Sequence, residues 1–145
     1  MLKEIMTKEE IHAFGIDVVV KYMKNEGYEI IDFNNNLNQF PQIIAKQGTN
    51  MIFVIVATDC YPNNGRIDEK LHFRVLDHSQ KQNALAYFAS VGICNADGNN
   101  EQEMGIPYRG NGFYVNFRGL LLMTSSDKVK FFGEDGKIHD YSEVK

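Results

Sequence analysis

The chain has 145 residues, of which 43% are hydrophobic and 23% charged, and its formal net charge is −4. This length predicts one domain with its own core, and this composition excludes a wholly disordered chain. The negative charge argues against strong non-specific DNA binding, which depends on neutralising phosphates, but it does not exclude a local basic patch.

The sequence contains neither a cysteine motif nor a recognisable targeting segment. Cys60 and Cys94 are the only cysteines and form no CxxC pair, so neither a zinc nor a redox motif is supported. One disulfide between them is conceivable, but two buried thiols are what we expect of a cytosolic protein. The N-terminus carries Glu4 and no long apolar run, unlike a signal peptide. The longest apolar stretch, residues 51–57, is too short to span a bilayer. We therefore expect a soluble, cytoplasmic protein without membrane partners.

The first part of the chain predicts a helix followed by three strands. Thr7 and Glu10 have capping-box spacing, apolar residues then recur at helical spacing, and Gly27 is a natural stop. We therefore expect a helix over residues 8–26. Three short strands follow, at residues 28–33, 42–46 and 51–58. The third strand is almost continuously apolar, which is typical of a central strand covered on both faces.

The second part predicts a crossover helix, further strands and a terminal hairpin. Residues 67–82 have helical spacing, and residues 113–123 predict a strand. Residues 85–94 are rich in aromatic and β-branched side chains, which favours a strand, although the helix could continue into them. Two short apolar stretches around Asp135 and Gly136 predict a hairpin.

This order of elements predicts a single α/β domain over residues 1–145, in which residues 124–145 are a C-terminal hairpin extension. A helix between the third and fourth strands implies a right-handed crossover and a partly parallel sheet.

Two blocks of sequence carry a family resemblance. Residues 15–31 combine a helix, an aliphatic run and a Gly-Tyr pair that leads into a strand. Residues 41–58 combine an aliphatic strand, a turn at Gly48 and a second aliphatic strand that closes on Thr58. These blocks resemble the PD-(D/E)XK nuclease superfamily, and within it the small bacterial predicted endonucleases similar to Holliday junction resolvases. The resemblance implies a restriction-endonuclease-like fold, with a mixed central sheet flanked by helices in the order αβββαββ plus the hairpin.

The three catalytic positions implied by the resemblance hold other residues in this chain. The family's metal-binding Asp falls on Gln42, its Glu on Ile55 and its Lys on Ala57. Two carboxylates can bind Mg²⁺, and a lysine can help generate or orient the attacking water. An amide and two hydrocarbon side chains can do neither. The resemblance therefore implies a catalytically inactive nuclease-fold protein without a cofactor, which acts by binding a protein or nucleic-acid partner.

Two other functions stay open at this point. A metal-dependent DNA or RNA endonuclease with a rearranged site could use Asp32, Lys46 and Asp59, with magnesium as its cofactor, although scattered surface charges are the default in any protein. The other open function is that of a structural homodimer held through the tail or the edge strands.

The four histidines, His12 among them, lack metal-ligand spacing, so we expect packing or surface roles for them.

One predicted helical face is basic. Arg66, Lys70 and Arg74 are four residues apart and would share that face, where they could contact nucleic-acid phosphates. Asp77 lies on the same face and dilutes its charge. A solvated helix face is the competing interpretation, and the net charge of the chain favours it.

Overall fold

The computed structural model of the protein describes residues 4–124 and the strand backbones of Lys130–Phe132 and Ile138–Asp140. In chain order its elements are α1 (Lys8–Asn25), β1 (Glu29–Phe33), β2 (Ile43–Gln47), β3 (Asn50–Cys60), α2 (Glu69–Lys81), β4 (Ala84–Asn95), α3 (Glu101–Met104), β5 (Phe113–Phe117), β6 (Leu121–Leu122), β7 (Lys130–Phe132) and β8 (Ile138–Asp140).

Helix α1 begins where the sequence predicts, because the capping box forms. Thr7 Oγ1 accepts a hydrogen bond from the backbone N–H of Glu10 at 3.1 Å, and Glu10 Oε1 accepts one from the N–H of Thr7 at 3.0 Å. The helix lays an apolar face on the sheet, and Ile16, Val19 and Met23 on that face are fully buried. Burial of this stripe stabilises α1 more than helix propensity can.

The close approach of α1 to β3 depends on Gly15. A Cβ atom at this position would lie 1.7 Å from Oγ1 of Thr58, so no larger residue fits unless one of the two elements moves. Thr58 lies near the end of β3. The contact therefore places the first turns of α1 beside the carboxyl-terminal half of β3.

An ion-pair cluster, here called the Arg109 clasp, joins the first turn of α1 and the segment before it to the loop after α3. Arg109 pairs with both Glu4 and Glu10, and its Nε donates to the Glu10 carboxylate at 3.0 Å. The hydrogen bonds from Arg109, followed by that from the N–H of Thr7, lower the pKa of Glu10 to about 2. Glu10 serves the clasp and the capping box together, so both features fix the first turn of α1.

Six strands form one mixed sheet in the order β1-β2-β3-β4-β5, in which β6 also pairs with β4. β3 and β4 are parallel, and the other neighbouring strands are antiparallel. α2 connects the parallel pair, which confirms the predicted α/β class and the partly parallel sheet. Residues 85–94 lie in β4, because residues 84–93 pair with β3 along their whole length.

The prediction of a single strand over residues 113–123 is wrong, since β5 and β6 occupy this range as two strands. Gly119 lies between them with a φ of 101°, a left-handed conformation that interrupts the extended backbone. β5 pairs with residues 91–95 of β4, and β6 pairs with Tyr87 and Phe88. The break lets the chain follow β4 along most of its length.

Side chains of β3 alternate between two buried clusters, one on each face of the sheet. Val54 and Val56 belong to the cluster under α1, whereas Ile55 belongs to the cluster under α2. β3 is therefore covered on both faces, as its apolar sequence predicts. Ala57 also packs against the α2 cluster, so it shares a face with Ile55.

The terminal hairpin is confirmed for its strand backbones. β7 and β8 pair antiparallel, with Phe131 opposite His139. The turn predicted at Asp135 and Gly136 lies outside the described residues.

Two further expectations concern the cysteines and membranes. Cys60 and Cys94 are free thiols, and both are half-buried rather than fully buried. Within the part of the chain that the structure describes, no helix is long and apolar enough to cross a membrane.

Candidate functional site

A cavity of about 400 Å³ lies beside the carboxyl-terminal half of β3. Its walls come from the first turns of α1, the loop before β2, the end of β3 and the segment that leads into α2. The apolar part of the wall consists mainly of Ile11, Leu37, Phe40, Ile67 and Leu71. A volume of this size, with mostly apolar walls and a few polar groups, is typical of small-ligand sites.

The three positions that the family resemblance marks as catalytic all line this cavity. Gln42 precedes β2, and Ile55 and Ala57 lie two residues apart on β3, so pairing of the two strands brings them together. Ile55 and Ala57 present hydrocarbon to the cavity, and neither can bind a metal ion or move a proton.

Gln42 is held by a hydrogen bond to the β3 backbone. Regular pairing of β2 with β3 ends at Ile43 and Val54, so the N–H of Val56 has no strand partner there. Gln42 Oε1 accepts from that N–H at 2.9 Å, in a place where the glutamine side chain is 1% exposed. The side chain thus substitutes for a missing backbone acceptor, which fixes its orientation.

Two buried nitrogen atoms at the cavity lack a hydrogen-bond partner among the described residues. They are Nε2 of Gln42 and Nε2 of His12, whose side chains are 1% and 4% exposed. Buried polar groups are nearly always paired, and an unpaired one costs about 1–3 kcal/mol. Thr58 Oγ1 is also unpaired among these residues, but it lies against Gly15 of α1. Gln42 and His12 both line the cavity, so each brings a buried nitrogen with unused hydrogen-bonding capacity to its wall.

Burial determines the charge state of His12. Desolvation lowers the pKa of the imidazole below its usual value, and a hydrogen bond with the backbone of Asn36 raises it by less. The neutral ring is therefore the dominant form at neutral pH. A neutral ring that donates from one nitrogen presents an acceptor at the other.

Three exposed charged side chains complete the cavity wall, namely Lys8, Asp59 and Arg66. Neither Lys8 nor Arg66 forms a salt bridge within residues 4–124. Asp59 Oδ1 accepts from the N–H of the following residue, Cys60, at 2.8 Å. The rim has two cations and one carboxylate, so its net charge is positive although that of the whole chain is −4.

The residues proposed for a rearranged nuclease site are not all at the cavity. Asp59 lines it, whereas Asp32 and Lys46 do not. Asp32 is exposed on β1 and accepts from the N–H of Phe33 at 2.9 Å. Lys46 is exposed near the far end of β2, opposite Glu29. Among the described residues, no group of three or more His, Cys, Asp or Glu side chains could hold a metal ion.

The basic face predicted for α2 is shorter than the sequence suggests. Asp68 caps the helix by accepting from the N–H of Leu71 at 2.7 Å, so Arg66 lies before the helix rather than on it. Arg66 lines the main cavity instead, and Lys70 is exposed on the helix. Arg74 is exposed and lines a smaller neighbouring cavity of about 190 Å³.

Sequence reasoning missed Lys8 and His12 as site residues. They are four residues apart on α1 and so share a helical face, which is the one local signal for them. That signal alone does not show that this face lies beside the end of β3, because the close contact of Gly15 with Thr58 brings α1 there.

A family model described as "Domain of unknown function (DUF8840)" matches residues 9–123. The chain belongs to the DUF8840 family. The DUF8840 match begins in the first turn of α1 and ends at Met123, directly after β6, and therefore includes every cavity residue named above except Lys8. Neither a search of curated proteins nor a search of solved structures found a match.

Proposed function

We propose that this protein is a non-catalytic member of the restriction-endonuclease-like fold and acts by binding. The order of elements supports the fold: a helix, three antiparallel strands, a crossover helix and a strand parallel to the third. The sequence blocks that resemble the nuclease superfamily fall on α1 with β1, and on β2 with β3.

The observation that carries the proposal is the identity of three residues that line the cavity. Gln42, Ile55 and Ala57 meet there, at the three positions where the resemblance implies two carboxylates and a lysine. Mg²⁺ requires near-octahedral oxygen ligands and is normally held by carboxylates. Gln42 Oε1 is already engaged by Val56, and Asp59 is the one carboxylate that lines the cavity among the described residues.

The charges near the cavity favour a partner that carries negative charge. Lys8 and Arg66 line the cavity. Lys70 and Arg74 are exposed on α2, where the exposed Glu69 and Asp77 offset part of their charge. Nucleic acid is the macromolecular candidate, and its binding would weaken steeply as salt rises, because each phosphate contact releases counterions.

Cleavage assays test the proposal. Single-stranded, duplex and branched DNA, and single-stranded RNA, are incubated with the protein in Mg²⁺ or Mn²⁺. We expect intact substrates, with the wild type indistinguishable from Asp59→Ala. Cleavage that Asp59→Ala abolishes, and that the matched control Asp32→Ala retains, would overturn the proposal in favour of a rearranged nuclease site.

A structural homodimer is the second candidate function. Both edge strands expose apolar side chains: Ile31 and Phe33 on β1 are 49% and 50% exposed, and Tyr114 and Val115 on β5 are 68% and 41% exposed. Exposed apolar edges are favourable for pairing with another chain. Light-scattering mass across a hundredfold range of concentration tests this candidate, and a constant monomer mass would exclude it.

A further inference from the structure

We propose that the cavity binds a small organic anion, a carboxylate or phosphate monoester on an apolar body, which accepts from Gln42 and shares a proton with His12. The inference rests on the proposed function in one respect, namely that the cavity is not a metal-dependent nuclease centre. It goes further by naming the chemical class of the occupant.

Gln42 requires an acceptor from the occupant. Its Oε1 accepts from the N–H of Val56, and the reversed amide would turn two donors towards each other, so the side chain has one productive orientation. Nε2 then presents N–H groups that no described residue accepts, at a side chain that is 1% exposed. An anionic oxygen is the strongest acceptor available for such a donor.

His12 provides the second contact. His12 lines the same cavity and its Nε2 is buried without a partner among the described residues, and the ring is neutral when no anion is present because burial disfavours the charged form. An anion next to Nε2 reverses that balance, so binding takes up one proton. The proton is bound by the complex whether it lies on the imidazole or on the ligand oxygen.

The charged groups that line the cavity together with His12 favour an anion. Lys8 lies one turn before it on α1, and Arg66 and Asp59 belong to the other walls of the cavity. Two cations against one carboxylate produce a positive potential in the cavity. Burial lowers the pKa of His12, so the proton uptake depends on the charge of the bound ligand.

The size and walls of the cavity determine the body of the ligand. About 400 Å³ falls within the range of roughly 300–1,000 Å³ found for small-ligand sites. Phe40, Ile11 and Leu71 are half-buried and supply apolar surface around the polar groups. A ring-sized apolar group fits this environment better than a bare inorganic ion, because its burial adds to the electrostatic attraction.

Calorimetric titration of the full chain tests the inference with defined probes. The probes are benzoate, phenyl phosphate, inorganic phosphate and phenol. We expect benzoate or phenyl phosphate to bind at least about tenfold more tightly than phenol or inorganic phosphate, since only they combine both features. The better of the two identifies carboxylate or phosphate as the preferred group. Equal binding of phenol, or no binding by either organic anion, would overturn the inference.

Two substitutions connect binding to the named residues. Gln42→Glu keeps an oxygen that can accept from the N–H of Val56, but it replaces the NH₂ donor with a second, negatively charged oxygen. Because this oxygen repels an anion, we expect at least about a tenfold loss of benzoate affinity. Lys24→Ala removes an exposed cation from the last turn of α1, outside the cavity, and should leave the affinity unchanged. Circular dichroism of each variant confirms that it is folded. Unchanged affinity in folded Gln42→Glu would refute the assignment.

A pH series separates a binding role of His12 from a packing role. Benzoate stays ionised between about pH 5.5 and 8, so a change in its affinity over that range reports the protein. We expect affinity to fall as pH rises in the wild type, and this dependence to vanish in His12→Asn. A benzoate affinity that does not change with pH in the wild type would contradict the shared proton.

The two proposals fail in different experiments. DNA cleavage would contradict the proposed function whether or not benzoate binds, whereas failure to bind an organic anion would contradict only this inference.

Discussion

Gln42 accepts a hydrogen bond through Oε1 from the backbone N–H of Val56 at 2.9 Å, and this contact joins the first residue before β2 to the buried half of β3. Gln42→Leu keeps the approximate volume but leaves that N–H buried and unpaired. The substitution also removes the unpaired Nε2, which offsets part of this loss, so we expect the free energy of unfolding to fall by about 1 kcal/mol in urea titrations. The exposed substitution Gln102→Leu is the matched control and should have little effect. An equally small effect at Gln42 would show that another group satisfies Val56.

Gly15 of α1 lies against Thr58 of β3. Gly15→Ala would place a methyl group 1.7 Å from Thr58 Oγ1. We expect a loss of about 1–3 kcal/mol or more, because both backbones are fixed by packing. Thr58→Ala removes the hydroxyl and should recover part of the loss in the double variant, which a double-mutant cycle measures as a coupling energy. Additive effects would mean that the contact is relieved in another way.

Gly119 is required by its backbone conformation. Its φ is 101°, and an added Cβ would lie 3.4 Å from the Tyr22 hydroxyl, which is an ordinary van der Waals distance, so the cost of Gly119→Ala comes from backbone strain. We expect a loss of about 1–3 kcal/mol by chemical denaturation. Gly112→Ala is the control, because its Cβ would meet nothing closer than 3.9 Å. If the two variants were equally stable, the backbone conformation at this position would not require glycine.

The Arg109 clasp predicts a pH dependence of stability. The folded state lowers the pKa of Glu10 from 4.5 to about 2, so the unfolded state takes up the proton first as pH falls. The stabilisation is complete above the unfolded value and is lost as pH falls through about 2. We expect Arg109→Ala to be less stable than wild type at pH 6, with the difference shrinking below pH 4.

Denaturation midpoints at several pH values check this prediction. Lys21→Ala, which breaks an exposed ion pair with Asp17, should differ little from wild type at every pH, since such pairs contribute little. A constant difference between Arg109→Ala and wild type down to pH 2 would mean that Arg109 acts by packing rather than through the Glu10 carboxylate.

The elements that could be predicted from the sequence are those with strong local signals. The capping box of Thr7 and Glu10 and the apolar stripe of α1 are local, and both form as expected. The sequence of β4 fits a helix or a strand, and its pairing with β3 settles the choice through contacts that are distant in sequence. The interruption at Gly119 has a local signal, but the apolar residues on both sides of it conceal the break.

The candidate site was only partly predictable for the same physical reason. Gln42, Ile55 and Ala57 come together through one antiparallel strand pair, which the turn at Gly48 already implies. Lys8 and His12 reach the cavity through the packing of α1 on β3, and no pattern within the helix specifies where that helix docks.

The most direct test of the central claim uses the side-chain amide of Gln42 as a probe of the cavity. Mn²⁺ broadens nuclear magnetic resonance signals of groups near its binding site, so a titration with small amounts of Mn²⁺ reports whether a metal ion enters. The Gln42 amide should broaden no more than the exposed amide of Gln102, because the residues described around the cavity provide no set of ligands for a divalent ion. Selective loss of the Gln42 signal would mean that a metal site exists there, and the non-catalytic account would be wrong.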